Sequence, residues 1–185
     1  ASRLIASYLQ NLGKRVVLID ANTSFIEQST NQGLESYAVN IYDDDLTDNI
    51  ELNDVGYLIA LTGSDAVNKF ALKNLASTFG EHGAFRLASA DEVKNKNFGN
   101  NNQFFSPKDD YINLSEAVRD FPNLYEIPIH SDKDYRETLE KLHLQLESIP
   151  LFVKTTDNNI YVLSEFETKK LPTKDTVLVY VGQEI

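Results

Sequence analysis

Apolar and polar positions in the first part of the chain alternate between helical spacing and short aliphatic runs. Apolar side chains at positions 4, 5, 8, 9 and 12 recur at helical spacing, and Gly13 follows where a helix would end. Residues 15–20 then form an aliphatic run that ends in an acid. A run of this kind is typical of a buried parallel strand, because both of its faces have to be covered. The pattern predicts a helix followed by a buried strand.

The same alternation continues to about residue 90. Further strands are predicted at residues 35–41, 57–62 and 84–88. Helices are predicted from Thr23 or Ser24 to about Gln32 and from Ser64 or Asp65 to Phe79, with a short helix or turn at 46–54. Strands that alternate with helices imply βαβ crossovers, so the pattern predicts an α/β fold with a Rossmann-like, doubly wound parallel sheet.

The pattern changes in the second half of the chain. A polar stretch at residues 91–102 precedes a possible sixth strand at Phe104 and Phe105 and a helix at 112–121. A strand at 126–129, a helix capped by Ser131 or Asp132 and ended by Pro150, and strands at 151–155, 160–163 and 176–181 follow. We therefore predict a Rossmann-like domain over residues 1–125 and a small α+β, β-rich subdomain over residues 126–185.

Composition and charge exclude several classes of function. The formal net charge is -11 and the Lys and Arg residues are scattered, so nucleic acid is not expected as a partner. The absence of cysteine excludes disulfides and thiolate metal sites. The longest apolar runs are far shorter than the roughly 20 residues that a membrane-spanning helix needs, so this segment is not expected to span a bilayer.

The sequence shows no set of residues that would predict catalysis or metal binding. The three histidines fall in separate elements, and the motifs of a P-loop, a nucleophile elbow or a zinc protease are absent. The acidic runs at 43–45 and 109–110 could attract a divalent cation, but a solvated loop is the favoured interpretation. We expect no catalytic residues, no metal ligands and no enzyme activity.

Asp20 is the most informative single residue. An acid at the carboxyl end of such a strand can accept hydrogen bonds from the ribose hydroxyls of an adenine nucleotide, and the alternative is a loop Asp that caps the next helix. Counting back by the usual interval of roughly 18 residues places the third glycine of a G-x-G-x-x-G loop at Ser2. We therefore interpret the chain as a fragment of a longer protein. The fragment would begin just after the first strand and the phosphate loop, and the loss of these two elements would compromise nucleotide binding.

One segment carries a family resemblance. Residues 54–68 read D-V-G-Y-L-I-A-L-T-G-S-D-A-V-N. This segment resembles the signature a-D-x-v-i-A-l-T-x-x-D-x-x-N of the TrkA-N (RCK N-terminal) domain family, whose members regulate potassium channels, potassium uptake systems and cation/proton antiporters. The resemblance extends over residues 1–89, and residues 56–62 are most similar to the versions at the cytoplasmic end of sodium/proton antiporters.

The resemblance implies a role and partners. The chain would be a regulatory module on the cytoplasmic side of the bacterial inner membrane, joined to the transmembrane antiporter domain of the same polypeptide. It would bind NAD(H) or another adenine nucleotide and would form a homodimer.

The resemblance also implies contacts with the nucleotide. Asp20 would meet a ribose, and Thr62, Gly63, Ser64 and Asn68 would face the far half of the nucleotide. Simple capping of the long helix is the alternative for Thr62, Ser64 and Asp65.

The chain departs from the family near the adenine. Many members have Gly-Asp-Ala there, and this chain has Val39, Asn40 and Ile41. Asn40 can hydrogen-bond a base edge, whereas the side chain of Val39 would hinder a close approach between the nucleotide and the backbone.

Three functions remain open at this stage. A nucleotide-sensing regulatory domain is favoured. A domain that kept the fold without the ligand would serve as a dimerisation platform for the transporter. An NAD-dependent oxidoreductase is disfavoured, because a dehydrogenase needs a proton-transfer residue beside the nicotinamide, and the chain after Asn102 has no compact His, Tyr or Lys motif.

Overall fold

The computed structural model describes residues 1–43, 46, 50–95, 109–145, 147–164 and 174–185. Its helices are α1 (Ser2–Asn11), α2 (Thr23–Asn31), α3 (Asp65–Phe79), α4 (Ala90–Asn95), α5 (Tyr111–Asp120) and α6 (Asp132–Leu144). Its strands are β1 (Val17–Asp20), β2 (Glu35–Ala38), β3 (Tyr57–Ala60), β4 (Gly83–Arg86), β5 (Leu124–Ile129), β6 (Ile149–Thr155), β7 (Ile160–Val162) and β8 (Thr176–Val181).

The first half of the molecule contains two parallel strand pairs. Strand β1 pairs with β2, and β3 pairs with β4. Helix α2 connects the first pair and α3 the second, so each pair is a strand–helix–strand crossover. This arrangement confirms a mixed α/β fold. Among the described residues the two pairs form separate two-stranded sheets, so they do not show the predicted continuous doubly wound sheet.

Most helix ends follow the sequence, and the start of α2 does not. Gly13 has a φ of 77°, the left-handed conformation in which glycine avoids a steric penalty, directly after α1. Ser64 and Ser131 cap α3 and α6 as predicted. The predicted cap of α2 at Thr23 or Ser24 is wrong, because Asn22 is extended and its side-chain oxygen accepts from the amide of Phe25 at 3.1 Å.

All four parallel strands are shorter than predicted: β1 begins at Val17 and not at Arg15, and β3 ends at Ala60 and not at Thr62. The predicted strand 35–41 ends at Ala38, and two residues later Asn40 Oδ1 accepts the amide of Tyr42 at 3.1 Å. This side-chain turn competes with the ladder and takes the chain out of the sheet. The predicted strand 84–88 ends at Arg86, although Ala88 still forms an isolated parallel bridge with Asp110. The predicted sixth strand at positions 104 and 105 lies outside the described residues.

The C-terminal strands form one antiparallel sheet in the order β5-β8-β6-β7. The prediction that Pro150 ends the preceding helix is wrong, because α6 already ends at Leu144 and Pro150 lies inside β6. The register between β6 and β8 shifts between Pro150 and Phe152. A residue without an amide hydrogen is tolerated at such an irregularity, where the regular ladder is interrupted.

The largest apolar cluster joins the parallel and antiparallel parts. It contains Ile5 of α1, Phe85 of β4 and Leu114 of α5 together with Phe152 of β6 and Val179 of β8, each no more than 4% exposed. Full burial of such side chains contributes roughly 1.5–3 kcal/mol each. The two parts of the chain therefore share this cluster, while the predicted domain boundary at residues 125 and 126 stays a prediction.

A polar contact accompanies this shared core. Glu126 Oε1 on β5 accepts hydrogen bonds from the Tyr8 hydroxyl of α1 at 2.8 Å and from Lys154 Nζ of β6 at 2.6 Å. Burial opposes ionisation of Glu126, but the hydrogen bonds from Lys154 and Tyr8 outweigh it and leave its pKa below the usual value. Burial and the Glu126 carboxylate both raise the pKa of Tyr8, so its hydroxyl stays a donor.

Candidate functional site

Asp20 is the last residue of β1, at the carboxyl end of a parallel strand. It is half-buried, and its Oδ1 accepts the backbone amide of Asn22 at 2.9 Å. Asn22 in turn caps α2, so Asp20 orients the turn that leads into that helix. A carboxylate has acceptor capacity on both oxygens, so this turn leaves capacity for a ligand hydroxyl.

Asn40 lies near Asp20 at the same edge of the sheet. Asp20 is in register with Ala38, and the amide of Val39 donates to the Asp20 carbonyl at 3.1 Å. Asn40 is exposed, with its side-chain oxygen on the amide of Tyr42. Val39 packs against the apolar cluster that includes Leu46, and this contact accounts for an aliphatic residue at the position.

Asn68 holds the loop between β3 and α3. Its side chain is 3% exposed, and its Oδ1 accepts both the amide of Thr62 at 3.1 Å and the Thr62 hydroxyl at 2.8 Å. Its Nδ2 donates to the Thr62 carbonyl at 2.9 Å. The whole carboxamide therefore fixes the conformation of Thr62, and the contact of Asn68 with a nucleotide stays a prediction.

Thr62, Gly63 and Ser64 form this loop after the end of β3. The Ser64 amide donates to the Thr62 hydroxyl oxygen at 3.2 Å, and the Ser64 hydroxyl oxygen caps the amide of Val67 at 3.4 Å. Ser64 is thus a helix cap, the alternative that the sequence had left open. Gly63 and Ser64 are exposed to solvent, and the contact of this loop with a nucleotide stays a prediction.

Ser2 occupies the first turn of α1 and is half-buried. The structure thus attaches the predicted contacts to three places: the start of α1, the β1/β2 pair and the loop after β3. Leu75 and Phe79 of α3 pack in the same cluster as Val17 and Ile19 of β1, so α3 connects the two strand pairs.

An ion pair that the sequence analysis missed lies beside the loop after β3. Arg86 at the end of β4 is 7% exposed, and its guanidinium donates to both carboxylate oxygens of Glu92 on α4 at 2.8 and 2.6 Å. Asp65 Oδ1, at the start of α3, lies 3.8 Å from the same guanidinium. The Arg86 hydrogen bonds lower the pKa of Glu92 to about 2 despite the opposing effect of burial. The sequence signal was a charged residue inside the aliphatic run 84–88.

A surface cavity of about 350 Å³ lies beside α1. Its lining includes Arg3, Ser7, Gln32 and Val118. Among the residues that the structure describes, Asp20, Asn40 and Thr62 do not line it, so this cavity is separate from the predicted nucleotide contacts.

The histidines and acids that could suggest other chemistry lie apart. The ring of His82 packs against Tyr57, and His130 is exposed at 3.9 Å from Asp175. Within the described ranges, no group of three or more His, Asp or Glu side chains is arranged to hold a metal ion. In the same ranges, no helix is both long and apolar enough to cross a membrane.

Comparison with known proteins adds one finding. No curated protein matches the chain significantly. Residues 1–100, which include α1, both parallel strand pairs and the loop held by Asn68, match the family model described as the TrkA-N domain. The match covers more than half of the 185 residues. The chain belongs to the TrkA-N domain family.

Proposed function

We propose that this chain is the nucleotide-sensing regulatory domain of a monovalent cation/proton antiporter, on the cytoplasmic side of the bacterial inner membrane. TrkA-N domains are typical of regulatory domains of cation transport systems, are usually cytoplasmic and generally bind NAD(H). The similarity of residues 56–62 to antiporter members supports the choice of transporter. The transmembrane part would belong to the same polypeptide.

The observation that carries the proposal is the position of Asp20. Its carboxylate lies at the carboxyl end of β1, where ligands of parallel α/β sheets bind. Asn40 follows β2 at the same edge, so an adenosine there would find an acceptor for the ribose hydroxyls and an amide for a base edge. A carboxylate accepts from a 2′-hydroxyl and repels a 2′-phosphate, so the proposed ligand is NAD(H) or another adenine nucleotide and not NADP(H).

The proposal also concerns how the two parallel strand pairs are arranged. The two parallel pairs would be halves of one doubly wound sheet, since α3 packs against both β3 and β1. A ligand that spans both halves would bind some arrangements of them more tightly than others. Only such differential affinity can bias an attached transporter between states. An experimental structure with two independent sheets at unrelated angles would contradict this part.

The test is a thermal-shift titration of the natural full-length protein with NADH, NAD, ATP, ADP and AMP, and with NADPH as the specificity control. A nucleotide at one hundred times its dissociation constant stabilises the folded state by roughly 2.7 kcal/mol, which is a readily measured shift. We expect NADH or an adenine nucleotide to shift the transition. NADPH should bind at least about tenfold more weakly, so that a higher concentration is needed for the same shift.

Two variants separate ligand binding from folding. Asp20→Asn keeps an oxygen that can accept the Asn22 amide, whereas Asp20→Ala loses it. Both variants should lose the nucleotide shift, and only Asp20→Ala should also lower the unliganded transition. If no nucleotide shifts the parent protein, sensing is wrong and a ligand-free dimerisation platform becomes the better interpretation. The proposed homodimer is checked by sedimentation velocity on the same samples.

A further inference from the structure

The ring of Tyr111 packs against Gly63 in the loop that follows β3. A Cβ atom built on Gly63 would lie 3.2 Å from both Cδ1 and Cε1 of the Tyr111 ring, so the ring rests directly on the Gly63 backbone. A larger residue at position 63 would have to displace the ring. The absence of a side chain at Gly63 therefore allows an aromatic ring to lie against the predicted nucleotide loop.

The backbone explains how Tyr111 reaches this place. It is the first residue of α5, and the preceding Asp110 caps that helix by accepting the amide of Asn113 at 2.9 Å. Asp110 also forms a parallel bridge with Ala88, just beyond the carboxyl end of β4. The start of α5 is thus held at the same edge of the β3/β4 pair as Gly63.

Tyr111 remains 44% exposed, although one edge of its ring is packed. The other half of the predicted site, at Asp20 and Asn40, belongs to the β1/β2 pair. A dinucleotide that places its adenosine at β1 and β2 extends its second half toward β3. A flat aromatic ring on that side is suited to contact the flat ring of the second nucleotide.

We propose that Tyr111 is a ligand-binding residue whose ring packs against the nicotinamide half of a dinucleotide. This inference rests on the proposed nucleotide-binding function and adds a specific residue and a specific half of the ligand to it. Neither the pattern of residues 111–120 nor the family signature at residues 54–68 points to Tyr111.

The experiment compares dissociation constants for NADH and for ADP, which contains only the adenine half, by isothermal titration calorimetry on the natural full-length protein. Three variants are used: Tyr111→Ala, Tyr111→Leu, which keeps apolar packing on Gly63 without an aromatic face, and Tyr111→Phe. Tyr161→Ala is the matched control. Tyr161 is a comparably exposed tyrosine next to Ile160, whose carbonyl accepts from the Tyr57 hydroxyl at the opposite end of β3.

We expect Tyr111→Ala and Tyr111→Leu to bind NADH about tenfold more weakly, a loss typical of one removed aromatic stacking contact. Binding of ADP should change less than about twofold, and Tyr111→Phe and Tyr161→Ala should bind both ligands as the parent does. Unchanged NADH binding by Tyr111→Leu would overturn the inference while leaving the proposed function intact. Equal losses of NADH and ADP would also overturn it, since the ring would then only support the loop. A parent protein that binds neither ligand would refute the proposed function itself.

Discussion

At the scale of single residues, the structure separates side chains that hold the site from side chains that could contact a ligand. Asn68 was predicted to face the nucleotide, but its carboxamide makes three hydrogen bonds to Thr62. The side chain of Ser64 caps α3 by accepting the amide of Val67. Asp20 keeps unused acceptor capacity at the edge of its sheet, which makes it the stronger candidate for ligand contact.

The role of Asn68 gives the first prediction at this scale. Asn68→Ala should lower the free energy of unfolding by about 2–3 kcal/mol, because it removes the three hydrogen bonds that the buried Asn68 carboxamide makes with the amide, hydroxyl and carbonyl of Thr62. Urea denaturation followed by circular dichroism measures this change.

Asn74→Ala on the same helix is the control. Asn74 is exposed and its side chain donates to the carbonyl of Phe70 on the same helix, so the same substitution there should have little effect. Equal stabilities of the two variants would show that Asn68 does not hold the loop.

At the scale of elements, the ends of helices and strands show where sequence signals are ambiguous. Residues 22–24 offer Asn, Thr and Ser in succession, each a good cap, and the extended backbone at Asn22 decides between them. The end of β4 is a second case. Arg86 is the last residue of β4, and its guanidinium bonds to Glu92 on α4, a contact between two elements that the spacing of apolar residues does not predict.

The Arg86–Glu92 pair predicts a dependence of stability on pH. The folded-state pKa of Glu92 is about 2 and its unfolded value is near 4.5, so the pair stabilises the fold above pH 4.5 and loses this effect as the pH falls toward 2. The shift corresponds to at most about 3 kcal/mol at neutral pH, because each pKa unit corresponds to roughly 1.4 kcal/mol, and the Ser89 amide and Lys69 contribute to it besides Arg86. Glu92→Gln should therefore be less stable than the parent at pH 7, and the difference should shrink between pH 5 and pH 2.

Unfolding free energies measured at several pH values test this prediction. Glu137→Gln is the control, since Glu137 is 55% exposed in an i,i+4 pair with Lys133 and should show little difference from the parent at any pH. A difference in unfolding free energy between Glu92→Gln and the parent that does not change with pH would refute the lowered pKa of Glu92.

At the scale of the whole molecule, one apolar cluster joins α1 and the β3/β4 pair to the antiparallel sheet, whereas the β1/β2 pair packs with Leu75 and Phe79 of α3 in a second cluster. Leu114 of α5 is completely buried among residues of both parts. The contact between Tyr8 and Glu126 joins residues that are 118 positions apart. A ligand that moves α1 would therefore act directly on β5 and, through Lys154, on β6.

We predict that the two parts unfold together in a single transition. Leu114→Ala should lower the stability by about 2–5 kcal/mol, and hydrogen exchange should report the same loss for amides of β4 and of β8. Leu144→Ala is the control, because Leu144 is 84% exposed and its truncation should change little. Two separate transitions, or a loss confined to one part, would contradict the shared core and support independent domains.

The sequence by itself determined the local elements and the family. Most helices and strands followed from the spacing of apolar residues, and the segment at residues 54–68 indicated the TrkA-N domain that the comparison then matched over residues 1–100. These features are local, since periodicity, caps and short signatures involve residues within a few positions of one another.

Only the tertiary structure decided the partners. It placed Pro150 inside a strand, engaged Asn68 with Thr62 and brought Tyr111 onto Gly63. It also set the strand order of the antiparallel sheet and the contact between Tyr8 and Glu126. Such pairings depend on which distant segments share a core, and the free energy that selects them comes from burial and hydrogen bonds between segments, which local spacing does not encode.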